Sequence, residues 1–160
     1  MSIVSSCLWF DDQAEEAASF YVSIFPNSKL GKFDRHGEGG PGPAGGVMTV
    51  EFELDGVRFT GLNGGPMFKF SEATSFVIDC KDQAEVDHYW DALLADGGAP
   101  GQCGWLKDRF GLSWQVVPVE LGVLMSDPDS ARVSRVIAAM MQMARLDTGK
   151  LRAAADGAQG

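Results

Sequence analysis

Few side chains in this chain have a wide chemical repertoire, and their types and spacing exclude more reactions than they suggest. The thiols are Cys7, Cys80 and Cys103, and the imidazoles are His36 and His88. Three scattered cysteines make neither a disulfide framework nor a thiolate zinc site, which agrees with a reducing compartment. His36 sits in a run of glycine and proline and His88 lies among acidic neighbours, so one chain cannot build a histidine metal cluster or a catalytic triad from them. A reactive thiolate needs a histidine, a cation or a helix N-terminus beside it, and for Cys103 the sequence supplies only Lys107. There is no P-loop, no GxSxG elbow and no HExxH. The glycines of residues 37–46 lack the following helix that dinucleotide binding requires, and S-adenosylmethionine would need a Gly-rich turn after the first strand of an alternating α/β sheet. The expectation is no metal, no cofactor and no assignable catalytic residue.

What remains is a set of polar groups among aromatics. Phe59, Asn63, Phe68 and Phe70 lie within FTGLNGGPMFKF, and Cys103, Trp105, Asp108, Trp114 and Gln115 within CGWLKDRFGLSWQ. Strands carrying Thr60 and Gln115 at matching places would line a cup with polar groups between aromatic walls, as small-molecule pockets are lined. The alternative for the Trp and Phe side chains is plain core.

The elements that must position these residues occur twice. DQAE at residues 12–15 recurs at residues 82–85, and each copy is a helix start in which the Asp caps free amides and the Glu reaches back. Behind the first copy Ala14, Ala17, Ala18, Tyr21 and Ile24 share one helical face, ended by Pro26; behind the second the stripe is Val86, Tyr89, Trp90, Leu93 and Leu94, ended by Gly97 and Gly98. A strand-like segment precedes each helix, IVSSCLWF and TSFVIDC. After the first helix come SKLGKFDRH, VMTVEFELDG and VRFTGLN, the last two joined at a hairpin signal, Asp55-Gly56; after the second come APGQCGWLKDRFG and LSWQVVP. The spacing predicts an α+β fold of two βαβββ modules, residues 1–72 and 73–120. A helical segment follows at 121–149, with an amphipathic helix over 129–146 whose stripe is Val133, Val136, Ile137, Met140, Met141 and Ala144, and a disordered tail at 150–160. The Gly/Pro run of residues 36–46 is a loop, read either as a lid over a ligand or as a tolerated insertion.

Composition narrows the partners. A net charge of −9 speaks against nucleic acid and anionic membranes, and no run approaches a membrane span, so a soluble cytoplasmic protein is expected. Modules of roughly sixty residues are each marginal alone, which favours fusion and pairing as a homodimer. The apolar stripe of the last helix, flanked by Arg132 and Arg135, supplies a surface for it.

LWFDDQAEEAASFYVSIFPNSKL, VEFELDGVRFTGLNGGP, ATSFVIDCKDQAEVDHYWDALL and CGWLKDRFGLSWQVVP together resemble the PhnB-like proteins of the vicinal oxygen chelate (glyoxalase/bleomycin-resistance) superfamily, a group that often carries the label 3-demethylubiquinone-9 3-methyltransferase. The resemblance implies paired βαβββ modules, a cupped cavity and a homodimer. The metal ligands of metal-using members would fall near Ser6 and Thr60 in the first module and near Ser75 or Phe76 and Gln115 in the second, where only Gln115 is of ligand type. Three functions follow as expectations. The first is a metal-independent binder of an unidentified small molecule, its cup lined by Thr60, Leu62, Asn63, Trp105 and Gln115. The second is an enzyme, metal-dependent or performing the methyl transfer of the label. The third is an interaction protein acting through its Met-rich last helix.

Overall fold

The computed structural model describes residues 2–158, and the chain divides into two compact units, Met1–Phe70 and Ser71–Gly160. The first unit runs β1 (Ser6–Phe10), α1 (Ala14–Ile24), β2 (Lys29–Arg35), β3 (Val47–Leu54) and β4 (Val57–Asn63). Its sheet has the order β1-β4-β3-β2, with β1 parallel to β4 and the other neighbours antiparallel. Alternation sends Leu8, Phe10, Val50, Phe52, Leu54 and Phe59 to the face that α1 covers, where Ala14, Ala17, Ala18 and Tyr21 are fully buried. Asp55 and Gly56 both take positive φ, 47° and 78°, the backbone of the tight hairpin that pairs Leu54 with Val57.

The second unit repeats this connectivity with β5 (Ser75–Cys80), α2 (Gln83–Leu94), β6 (Ala99–Pro100), β7 (Trp105–Lys107) and β8 (Ser113–Pro118). The order is β5-β8-β7-β6, with β5 parallel to β8. Buried Leu8 and Phe10 correspond to buried Ile78 and Cys80, so the strands keep the offset of the two DQAE copies. The copies differ in use. Asp82 caps α2, accepting from Glu85 N at 3.0 Å, while the Glu85 carboxylate accepts from Lys81 N at 2.8 Å. In α1 the expected Asp12 cap does not form. The helix begins after Gln13, and Ala14 N instead donates to Asn63 Oδ1 at 2.8 Å, a cap supplied by β4.

Beyond β8 the helices are α3 (Val119–Met125), α4 (Ser130–Met140) and α5 (Thr148–Ala155). The helix predicted over 129–146 stops at Met140, because the chain is diverted to mend the second sheet. β6 has only two residues, and the edge it leaves bare is taken by a strap, in which Cys103 N and Gly104 N donate to the carbonyls of Met143 and Ala144, each at 2.8 Å. Gly104 adopts φ +86°, so its amide meets the strap while its carbonyl accepts from Val116 N at 2.8 Å. Gln83 locks the strap from α2: Nε2 donates to Leu146 O at 3.0 Å, and Oε1 accepts from Thr148 N at 2.9 Å.

The tail expected to be disordered from residue 150 is largely the body of α5. Leu151 and Ala155 bury into a cluster with Val136 and Leu146, and Arg135 binds the carbonyls of Ala154 and Ala155 at the helix end. Its Ala- and Gly-rich composition reads as fraying, yet small residues are what let a short helix approach its neighbours closely. Gln159 and Gly160 lie outside the described residues. The amphipathic stripe splits: Val136 and Met140 pack within the unit, whereas Ile137 and Met141 are exposed. No helix among the described residues is long and apolar enough to cross a membrane.

Leu146 is fully buried beside Gly104 at the centre of the strap. Leu146→Ala is expected to cost about 2–5 kcal/mol, read from urea denaturation. A loss below about 1 kcal/mol would show that the strap contributes little to packing.

Candidate functional site

Each sheet has one face covered by its helix and one that the helix leaves free. On the free face of the first sheet the register aligns Cys7, Thr60 and Glu51 in one row; on the second it aligns Val77, Gln115 and Trp105. Thr60 and Gln115 therefore hold matching places in their modules, each between the first strand and the third. Thr60 lies in a shallow depression of about 210 Å³ whose charged rim is Lys29, Glu51, Glu53 and Arg58. Lys29 Nζ is 3.3 Å from Glu53. Gln115 Nε2 donates to Ser75 Oγ at 3.0 Å, which leaves one neutral amide oxygen, beside a hydroxyl, as the only group there with metal-ligand character. In the first sheet the corresponding groups are the Thr60 hydroxyl, the Cys7 thiol and the Glu51 carboxylate. The second row has no anionic donor for a divalent transition ion, and the first has a single carboxylate, on a rim that also carries Lys29 and Arg58. Among the described residues no three His, Cys, Asp or Glu side chains are grouped to hold such an ion.

A larger cleft of about 530 Å³ opens at the end of the first sheet. Trp9 and Leu62 are register partners on the free face and form its floor, with Val47 and Met48 beside them. The Trp9 ring is fixed on three sides. Its Nε1–H donates to Gly65 O at 2.9 Å, Phe68 meets it edge-on at 4.9 Å, and Gly64 abuts the ring so closely that a Cβ there would fall 2.3 Å from it. The loop of residues 36–46 forms one wall. His36 N donates to Gly46 O and Gly45 N to His36 O, both at 2.9 Å, and Arg35 Nη1 donates to Gly45 O at 3.1 Å, so the loop is clasped at its base. Asp11 and Asp12 stand at the rim and His36 in the wall.

Of the five residues expected to bind ligand, Thr60 lies in the depression and Leu62 in the cleft floor. Asn63 borders the cleft, but both of its polar atoms are engaged: Oδ1 with Ala14 N, and Nδ2 with Val47 O at 3.0 Å. Trp105 and Gln115 are cross-strand partners in the second unit. Sequence reasoning missed Trp9, Asp11 and Asp12. The available signal was a Trp alternating out of phase with buried Leu8 and Phe10, next to a helix start whose cap is not needed.

Asp108, Trp114 and Phe59 belong to the scaffold. Buried Asp108 accepts from the amides of Phe110 and Leu112 and, at 2.9 Å, from Trp114 Nε1. Phe59 stacks on Phe52. Cys103 Sγ lies 3.7 Å from Met141 Sδ, and Lys107 is paired with Glu72, so the expected cation is engaged elsewhere. Burial, aided by the Glu85 charge, pushes the Cys80 thiol up to about 12.

The family model described as 3-demethylubiquinone-9 3-methyltransferase matches residues 2–117. Among solved structures, the chain is similar to a PhnB protein from Bacillus cereus, described as a 3-demethylubiquinone-9 3-methyltransferase, with 32% identity and a TM-score of 0.67 over 73% of this chain and 99% of that one. It shares the fold of protein PA1353 from Pseudomonas aeruginosa, with 20% identity and a TM-score of 0.61 over 74% and 98% of the two chains. It also shares the fold of the fosfomycin resistance protein FosX from Listeria monocytogenes, in complex with Mn(II) and sulfate, with 16% identity and a TM-score of 0.50 over 71% and 88%. No curated protein matches the chain.

The Cys80 environment fixes a pH dependence. Its folded thiol titrates near 12 against an ordinary 9.0, so the stability it contributes is intact below about pH 9 and is lost as the pH rises towards 12. Cys80→Ala is expected to flatten the decline in unfolding free energy measured above about pH 9, and iodoacetamide at about pH 8 to alkylate Cys7 but not Cys80 in the folded protein. Equal alkylation of both would contradict this account of Cys80.

Proposed function

The chain belongs to the 3-demethylubiquinone-9 3-methyltransferase family, PhnB-like members of the vicinal oxygen chelate superfamily, and from that premise we propose that it is a small-molecule-binding protein that works without a bound metal. The cleft over Trp9 is the observation that carries this reading. Its volume of about 530 Å³ lies in the range of small-molecule sites, and its apolar floor with a few polar groups at the rim is their usual composition. Within the first unit Leu62 belongs to the cleft floor and Thr60 to the neighbouring depression; in the second unit Trp105 and Gln115 offer an aromatic and a polar group on its own free face. The strand rows where metal-using members place ligands carry hydroxyls, a thiol, one carboxylate and one amide here, and among the described residues no three His, Cys, Asp or Glu side chains are grouped, which supports a reading without the superfamily's metal chemistry. In this reading the clasped loop of residues 36–46 serves as the wall, or lid, of the cleft.

A second reading, methyl transfer, is favoured by the description of the matched family. The connection from β1 to α1, where a nucleotide-like cofactor would meet a helix start, reads Asp11-Asp12-Gln13 and offers no glycine. We also propose that the protein works as a homodimer, with exposed Val123, Ile137 and Met141 of the second unit supplying apolar area for a symmetric contact.

A thermal-shift screen of aromatic and hydrophobic compounds is expected to find some that raise the unfolding midpoint, and Trp9→Ala to abolish those shifts. A screen with no stabilising compound, or near-stoichiometric transition metal in protein purified without chelator, would overturn the first reading. Binding heat with S-adenosylmethionine would favour the second. For the oligomer, light scattering at micromolar concentration is expected to give about twice 17.1 kDa, and the mass of a single chain would refute the pairing.

A further inference from the structure

Resting on the small-molecule reading above, we propose that the cleft over Trp9 takes an organic cation: a protonated amine carried on a flat apolar body. The charges around the cleft decide its sign. Asp11 and Asp12 stand at the rim, and no Lys or Arg is among the lining residues. The depression around Thr60 differs in this respect, since Lys29 and Arg58 line it. Both aspartates are exposed, and among the described residues neither carboxylate has an ion-pair or hydrogen-bond partner. Their charge is thus uncommitted within the unit.

One opposing effect has to be weighed. The rim adjoins the start of α1, and a helix N-terminus favours anions. Here that preference is blunted twice. Ala14 N already donates to Asn63 Oδ1, and Glu15 and Glu16 occupy the first turn. The run from residue 11 to residue 16, DDQAEE, places four carboxylates in six residues, so the local field is negative in spite of the helix. The net charge of −9 adds a long-range pull on cations.

The floor decides the body. The Trp9 N–H is consumed by Gly65 O, so the ring offers the cleft its carbon surface and not its donor. An indole face attracts a cation and also stacks on a flat ring, and a carboxylate beside it strengthens the first effect. Leu62, Val47 and Met48 continue the apolar surface from the ring. A molecule with its ring on Trp9 and its ammonium towards Asp11 and Asp12 satisfies both parts of the site.

Three ligands that share one ring system separate charge from shape: tryptamine as the cation, tryptophol as the neutral analogue and indole-3-acetate as the anion. Calorimetry at about 50 mM salt is expected to show tryptamine binding at least tenfold more tightly than the other two. Raising the salt to about 500 mM should weaken tryptamine several-fold and leave tryptophol unchanged. The double variant Asp11→Asn/Asp12→Asn should bring tryptamine to parity with tryptophol, while Trp9→Ala should weaken all three. Parity of tryptamine and tryptophol in the unaltered protein would overturn the assignment of a cation and leave small-molecule binding standing. Retention of the tryptamine preference in the double variant would overturn it as well. If none of the three binds, the cation assignment falls, and only the broad screen bears on whether the protein binds small molecules at all.

Discussion

Both modules depend on a parallel pair of strands, β1 with β4 and β5 with β8. Parallel neighbours cannot be joined by a tight turn, so the chain must leave the sheet and cross one of its faces before returning. In the first unit that crossing is α1, and its approach is unusually close. Gly61 lies beneath it, where a Cβ would fall 3.2 Å from Ala14 and 3.1 Å from Val50. Three buried alanines on α1 make the approach possible. Once one face is sealed in this way, the two-residue period of a strand sends Cys7, Trp9, Thr60 and Leu62 to the other. The free face is therefore a by-product of how the helix packs. Chemistry on it is left to whatever residues alternate outward, which is how one scaffold can carry metal ligands in some proteins and hydroxyls or aromatics in others.

How much of this was legible in sequence depended on the range of each interaction. Hairpin chemistry at Asp55-Gly56 and alternation in VMTVEFELDG are local, and they gave β3, β4 and their pairing, while the repeated order of strand, helix and strands gave the two-module fold. The duplicated DQAE was legible as a helix start twice over, but its first copy misleads about the cap. Asn63 comes from far along the chain to do that work, and in sequence it reads as a ligand-binding residue because it is a polar side chain set among aromatics. Tail residues 150–155 failed for a related reason. Leu151 is the single large apolar side chain in α5, and only the pocket formed by Val136 and Leu146 gives it somewhere to go. Trp9 could be counted outward by alternation, whereas the cleft above it required the return of a loop almost thirty residues later.

The C-terminal helices carry the chain beyond its family. The matched stretch ends at residue 117, within β8, and the shared fold covers about three quarters of the chain. The second module is the poorer copy, with a β6 of two residues where β2 has seven. The later segment compensates, and Gln83 is the hinge of that repair. It is the second letter of the second DQAE, where Gln13 stands in the first, and its amide spans the strap and the start of α5 with one hydrogen bond in each direction. Arg145 reinforces it by pairing with Asp87 at 3.1 Å.

The strap also imposes an order of events during synthesis. All four strands of the first sheet lie within residues 6–63, so they can pair while the second module is still being made. The second sheet reaches its last strand at residue 118, but the amides of Cys103 and Gly104 and the side chain of Gln83 wait for residues 143–148. At translation rates of about 5–20 residues per second that interval lasts on the order of seconds, long compared with hairpin formation. During it the nascent second module carries a bare strand edge, the kind of surface that pairs with other chains. The second module is thus the one whose edge depends on a segment, residues 143 and 144, made well after its last strand ends at residue 118.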